Sequence, residues 1–104
     1  MPSQPGLDTA SILASTARLP KHVVYRAFVY ETVVLNLDSG KYHGLNPVGG
    51  RMIELLDKTG SVEEVAKRLA AEFDRPREEI DRDLSGFCAD LAERGLIELS
   101  HDSE

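Results

Sequence analysis

One cysteine, three histidines and no long apolar run leave this chain of 104 residues little access to several common chemistries. Cys88 alone cannot form an internal disulfide, which fits a reducing compartment and a cytoplasmic protein. No stretch approaches the ~20 apolar residues needed to span a bilayer. The N-terminus, MPSQPGLDTASILASTARLP, has neither a basic n-region nor an apolar h-region, so neither a signal peptide nor a membrane partner is expected. His22, His43 and His101 have no cysteine or second histidine at ligand spacing, so no metal site is expected. Gly49-Gly50 lacks the Lys and Ser/Thr of a phosphate loop. Cys88 itself falls in an apolar helical stripe, where a buried inert thiol is the usual finding. No catalytic residue and no cofactor is expected: the chain reads as a non-enzyme.

Positive charge is also scarce. The formal net charge is −6, and from Thr59 onward six basic residues face thirteen carboxylates. An acidic surface repels phosphate backbones, which argues against a nucleic-acid partner.

The length allows one domain. Residues 1–20 are rich in Ser, Thr, Ala, Pro and Gly and read as a flexible tail, although Asp8 could cap a short turn through Ile12 and Leu13. The folded domain is expected over residues 21–100. Val23 to Phe28, Thr32 to Leu37 and Lys41 to Leu45 read as three strands of a β-meander, with Asp38-Ser39-Gly40 supplying the second turn. In the middle strand Val33, Leu35 and Leu37 share one face, while Val34 and Asn36 share the other. The third strand is short, carries Gly44 and leads straight into a helix, which places it at a sheet edge open to another strand.

Three helices follow. Asn46 caps the first and Pro47 opens it, with Val48, Met52, Leu55 and Leu56 as its apolar stripe and Gly60 as its stop. Gly49-Gly50 inside it suggests close backbone packing near the helix start. Ser61 and Glu64 form a capping box for the second, whose stripe is Val62, Val65, Leu69 and Phe73. Pro76 opens the third, amphipathic through Ile80, Leu84, Phe87, Cys88 and Leu91 and ended by Gly95. Leu96 to Leu99 could add a last strand. The tally is an α+β domain with helices on one sheet face.

The carboxylates near helix N-termini, Glu63, Glu64, Glu78, Glu79, Asp81 and Asp83, complement the helix dipoles. Asp83 and Asp90, seven residues apart on the third helix, could instead flank a groove. Tyr42 and Phe87 are each either a core aromatic or the wall of such a groove. An edge strand beside an apolar helix describes a site for an extended peptide.

Three blocks in this order carry a resemblance: VLNLDSGKYHGLNPVGGRMIELL (34–56), SVEEVAKRLAAEF (61–73) and DLSGFCADLAERGLIE (83–98). From about Lys21 to Ser100 the chain resembles the PqqD-like family, the RiPP recognition elements that guide ribosomally made peptides to their modifying enzymes. The resemblance implies a winged-helix-like domain, a three-stranded antiparallel sheet packed on three helices. It also implies that the leader of a precursor peptide binds as an added strand beside Lys41, Tyr42, His43, Gly44 and Leu45. The facing helix would contribute Asp83, Leu84, Phe87, Asp90 and Leu91. PqqD proper has a proline-glutamate-arginine-like run where this chain has SGKYHGLNP, so the chain looks more like the free-standing proteins of lasso-peptide pathways. Such a protein would be a non-enzymatic peptide chaperone, delivering the leader to a leader protease or, second, to a radical SAM enzyme. The rival from another class is a winged-helix DNA-binding module. Its recognition helix would need to be basic, and the third helix carries Glu78, Glu79, Asp81, Asp83, Asp90 and Glu93 against Arg77, Arg82 and Arg94. A third reading is a structural subunit whose edge strand pairs with itself.

Overall fold

Residues 22–60 show most directly how local chemistry sets this fold, in a computed structural model that describes residues 8–101. Strands β2 (Val23–Ala27), β3 (Thr32–Asn36) and β4 (Tyr42–Leu45) form an antiparallel sheet in the order β2-β3-β4. Tyr25, Val34 and His43 stand side by side across it. At the β3–β4 turn the Asn36 side chain accepts hydrogen bonds from the Asp38 and Ser39 N–H groups, at 2.9 and 3.2 Å. Gly40 closes that turn at φ +78°, a conformation that penalises any residue with a Cβ.

Helix α2 (Pro47–Thr59) starts immediately after β4. Its Asn46 cap accepts from the Gly49 N–H at 2.8 Å, and Gly60 ends it in the left-handed region. Ser61 caps α3 (Val62–Phe73) through the Glu64 N–H at 3.1 Å. Only that half of the expected capping box is closed by a described bond, because the Glu64 carboxylate is drawn to Arg68 at 3.2 Å. Helix α4 (Arg77–Glu93) follows Pro76 and gives way to Gly95 at φ +76°.

The core takes Met52, Ile53, Leu55 and Leu56 from α2, Val62, Val65 and Leu69 from α3, and Ile80, Leu84, Cys88 and Leu91 from α4. Val34 is its main contribution from the sheet, with Thr32 beside it. The core therefore meets the Thr32/Val34 face of β3 and not its more aliphatic Val33/Leu35 face. Both faces carry β-branched residues, so period-2 alternation could not choose between them. Val48 and Phe73, assigned to helical stripes by spacing, keep more than a third of their surface exposed at the helix ends.

The mixed α+β architecture, with an antiparallel three-stranded sheet and three main helices, is the one expected. Two further pieces complete it. Helix α1 (Thr9–Leu13), capped by Asp8, lays Ile12 into the core against α4 and α3. Strand β1 (Ser15–Arg18) pairs antiparallel with β5 (Glu98–His101), and Arg18 meets Glu98 at 2.6 Å. Thr9–Arg18 are thus built into the same core that the sequence reading starts at residue 21. Residues 1–7 of the expected tail lie outside the described residues. The signal was weak because β1 is four residues long and its partner lies about 80 residues away, beyond the reach of local periodicity.

Candidate functional site

Strand β4 is one edge of the sheet, and among the described residues no strand lies on its far side. The Asn36 N–H donates to the Lys41 carbonyl at 2.9 Å, which sets the alternation of the ladder. Lys41, His43 and Leu45 turn their backbone groups toward β3, so Tyr42 and Gly44 turn theirs to the open edge. An edge that presents N–H and C=O groups in register is a template for a further strand.

Beside this edge a cavity of about 510 Å³ opens between the end of β4, the start of α2 and the face of α4. Its apolar surface comes from Leu45, Val48, Met52 and Phe87. Gly49 lets the Phe87 ring lie against α2: a Cβ there would stand 3.3 Å from the ring's Cε1. Asp83, Gly86 and Asp90 line the α4 side. Both carboxylates are about half exposed and already have cationic neighbours, Arg75 at 3.7 Å from Asp83 and Arg94 at 3.1 Å from Asp90. Farther along the same crevice, a second cavity of about 370 Å³ is lined by Asn36, Ser39, Lys41, His43 and Arg94.

Gly44, Leu45, Asp83, Phe87 and Asp90, all singled out from the sequence, meet in the first cavity, and Lys41 and His43 line the second. Leu84 and Leu91 lie on the neighbouring, fully buried stripe of α4, turned into the core, so they support the wall without forming it. Tyr42 is neither core nor wall. Its side chain stands 72% exposed on the outer face of the sheet, across from Leu35, and only its backbone belongs to the site.

Sequence reasoning missed Val48 and Met52 as lining residues because the apolar stripe of α2 looked like core. It also missed Gly86, Asn36, Ser39 and Arg94. Gly86 did leave a signal, since a glycine inside a helix costs about 1 kcal/mol relative to alanine and needs a reason. A Cβ at Gly86 would meet nothing within 4 Å, so nothing inside the described chain requires it.

Other features offer less. A larger cavity of about 680 Å³, between the β1–β5 ribbon and the α2–α3 turn, has no aromatic wall, and the Ala17 N–H at its border is already bonded to Gly60 O at 2.8 Å. Burial pushes the Cys88 thiol up to about 12, so it stays protonated at neutral pH and is no nucleophile. Among the described residues no three His, Cys, Asp or Glu side chains cluster to hold a metal ion. No helix there is long and apolar enough to cross a membrane.

Comparison with known proteins bears on this groove. The family described as "Coenzyme PQQ synthesis protein D (PqqD)" matches residues 31–97. The chain is similar to the solved structure of TbiB1 in complex with the TbiA(beta) leader peptide, at 34% identity and a TM-score of 0.73, covering 78% of this chain and 94% of that one. It is also similar to a lasso peptide synthetase B1 complexed with its leader peptide, at 26% identity and a TM-score of 0.72, covering 80% of this chain and 98% of that one. No curated protein sequence matches.

Proposed function

This chain belongs to the PqqD family, and on that premise we propose that it captures the leader of a ribosomally made precursor peptide by strand addition at β4. The observation that carries the reading is the open backbone edge at Tyr42 and Gly44 beside a cavity whose apolar walls include Leu45 and Phe87. Main-chain bonds to the edge supply affinity for any extended peptide, and alternate side chains entering the cavity supply selection. The two similar structures are complexes with leader peptides, which supports the same ligand class here.

Binding of this kind needs no bond to be made or broken. The protein fixes the register of the leader and raises the local concentration of the attached core peptide at a partner enzyme, a leader protease first and a radical SAM enzyme second. We place this hand-over in the cytoplasm, where the precursor leaves the ribosome. The acidic balance of α4 fits a peptide partner better than a nucleic acid.

Titration of isotope-labelled protein with the TbiA(beta) leader peptide, followed by NMR, tests the reading. Shifts should concentrate at residues 41–45 and 83–90. Shifts confined to β2, the other edge of the sheet, would relocate the site, and an unresponsive spectrum at excess peptide would remove the proposal. Gly86→Ala adds an independent check. Filling an open helical position should raise stability by up to about 1 kcal/mol, because alanine is the better helix former and restricts the unfolded chain. The same methyl group narrows the crevice between Asp83 and Asp90, so peptide affinity should fall about threefold or more as stability rises. Calorimetry of the variant gives both numbers, and a gain in stability with unchanged affinity would mean that the peptide does not approach α4 there.

A further inference from the structure

Resting on the peptide-docking reading, we infer that the groove has a second, polar subsite at Lys41, His43 and Arg94 that takes an acidic side chain of the docked strand. The two cavities along β4 differ in kind. The one at Leu45 and Phe87 has apolar side chains among its walls, whereas the residues that line the other, Asn36, Ser39, Lys41, His43 and Arg94, all carry a polar or charged end group.

That lining has an excess of donors. The Asn36 side-chain oxygen is already used by the Asp38 and Ser39 N–H groups, and Ser39 Oγ accepts from the Lys41 N–H at 3.2 Å. What these side chains have left to offer is the Asn36 amide NH₂ and the Ser39 hydroxyl proton. Lys41 brings an ammonium that makes no ion pair with the described residues. Arg94 is held through its Nε by Asp90 at 3.1 Å and reaches His43 Nδ1 with Nη1 at 3.4 Å, so its guanidinium is oriented with donors to spare. An ionised carboxylate, which only accepts, is the side chain that complements such a site. A lysine or arginine there would meet two cations, Lys41 and Arg94.

The sheet fixes where that carboxylate must lie. Lys41, His43 and Leu45 are alternate residues and share the face toward α4. Both strand pairs of the sheet are antiparallel. A strand added to β4 in the same sense sets one side chain across from Leu45 and, four residues later and about 13 Å on, another across from Lys41. The ligand class is therefore a leader segment with an apolar residue followed, four positions toward its C-terminus, by Asp or Glu.

A displayed library of random peptides selected on the full chain tests this without knowledge of the natural precursor. Enriched sequences should carry an acid four positions after a large apolar residue. Selection on Lys41→Glu, an exposed position whose change leaves the core untouched, should replace that acid by Lys or Arg. For one enriched peptide, changing the acid to Gln should weaken binding about three- to tenfold at low salt and much less at high salt, because the pair is partly open to solvent. Enriched peptides without an acid at that spacing, or with the same acid kept by Lys41→Glu, would overturn the subsite while leaving peptide docking in place. A library that yields no binders would remove the docking reading and the subsite together.

Discussion

Phe87→Asp is expected to leave the domain folded and to weaken leader binding by about two orders of magnitude. Two effects add. The ring is the one aromatic wall of the cavity beside β4, and aromatic anchors at the centre of a peptide site commonly account for about 2–4 kcal/mol of binding. The new carboxylate would also stand in that cavity between Asp83 and Asp90, where a third negative charge is unpaired and desolvated by the incoming strand. The fold should survive, because α4 is anchored by Ile80, Leu84, Cys88 and Leu91, which are fully buried, while Phe87 stands at the partly exposed edge of that stripe. Phe87 only packs against that cluster from outside. Tyr42→Ser is the matched control. Its ring faces away from the groove and its backbone bonds persist, so affinity should change by less than about threefold. Isothermal titration with the TbiA(beta) leader peptide measures both. A folded Phe87→Asp variant with native affinity would show that the peptide does not enter this cavity.

The parts of the fold that could be read from the sequence were those set by short-range chemistry. Asn46-Pro47, Ser61 and the glycines at 40, 60 and 95 act within a few residues of themselves, so caps and turns fell where expected. The β1–β5 ribbon joins the two ends of the chain, and no local pattern in STAR or ELSH announces it. Site residues divide along the same line. The edge strand was legible because Gly44 and the immediate helix start mark it. Which side of α4 faces the groove was not, since Leu84 and Phe87 are three residues apart and both apolar. Only the packed helix separates the one that supports the core from the one left at the crevice. Tyr42 illustrates the remaining gap: an aromatic on a two-faced strand has equal claim to either face until register is fixed.

Gly50→Ala is expected to destabilise the domain by about 1–2 kcal/mol, lowering its melting temperature by roughly 4–8 °C per kcal/mol. Here α2 crosses β3 so closely that an added Cβ would stand 2.9 Å from Thr32 Cβ and nearer still to its hydroxyl oxygen. Thr32 is buried and β-branched, so it cannot swing aside, and the helix must move out. The gain of up to about 1 kcal/mol from better helix propensity offsets only part of the cost. Thr32→Ala removes the closer of the two overlaps, that with the hydroxyl, and keeps the Cβ, so the double variant should be more stable than the two single losses sum to, by at least about 0.5 kcal/mol. Thermal melts of the four proteins measure this, and a Gly50→Ala variant that gains stability would refute the close approach. The comparison with Gly86→Ala sharpens the result, because the same substitution in two helices carries opposite expected signs. Gly50 is held by Thr32 inside the molecule, whereas no described atom lies near enough to require Gly86. If both signs are observed, the first glycine belongs to the packing that seats α2 over the sheet. The second is then left with the groove as its only account.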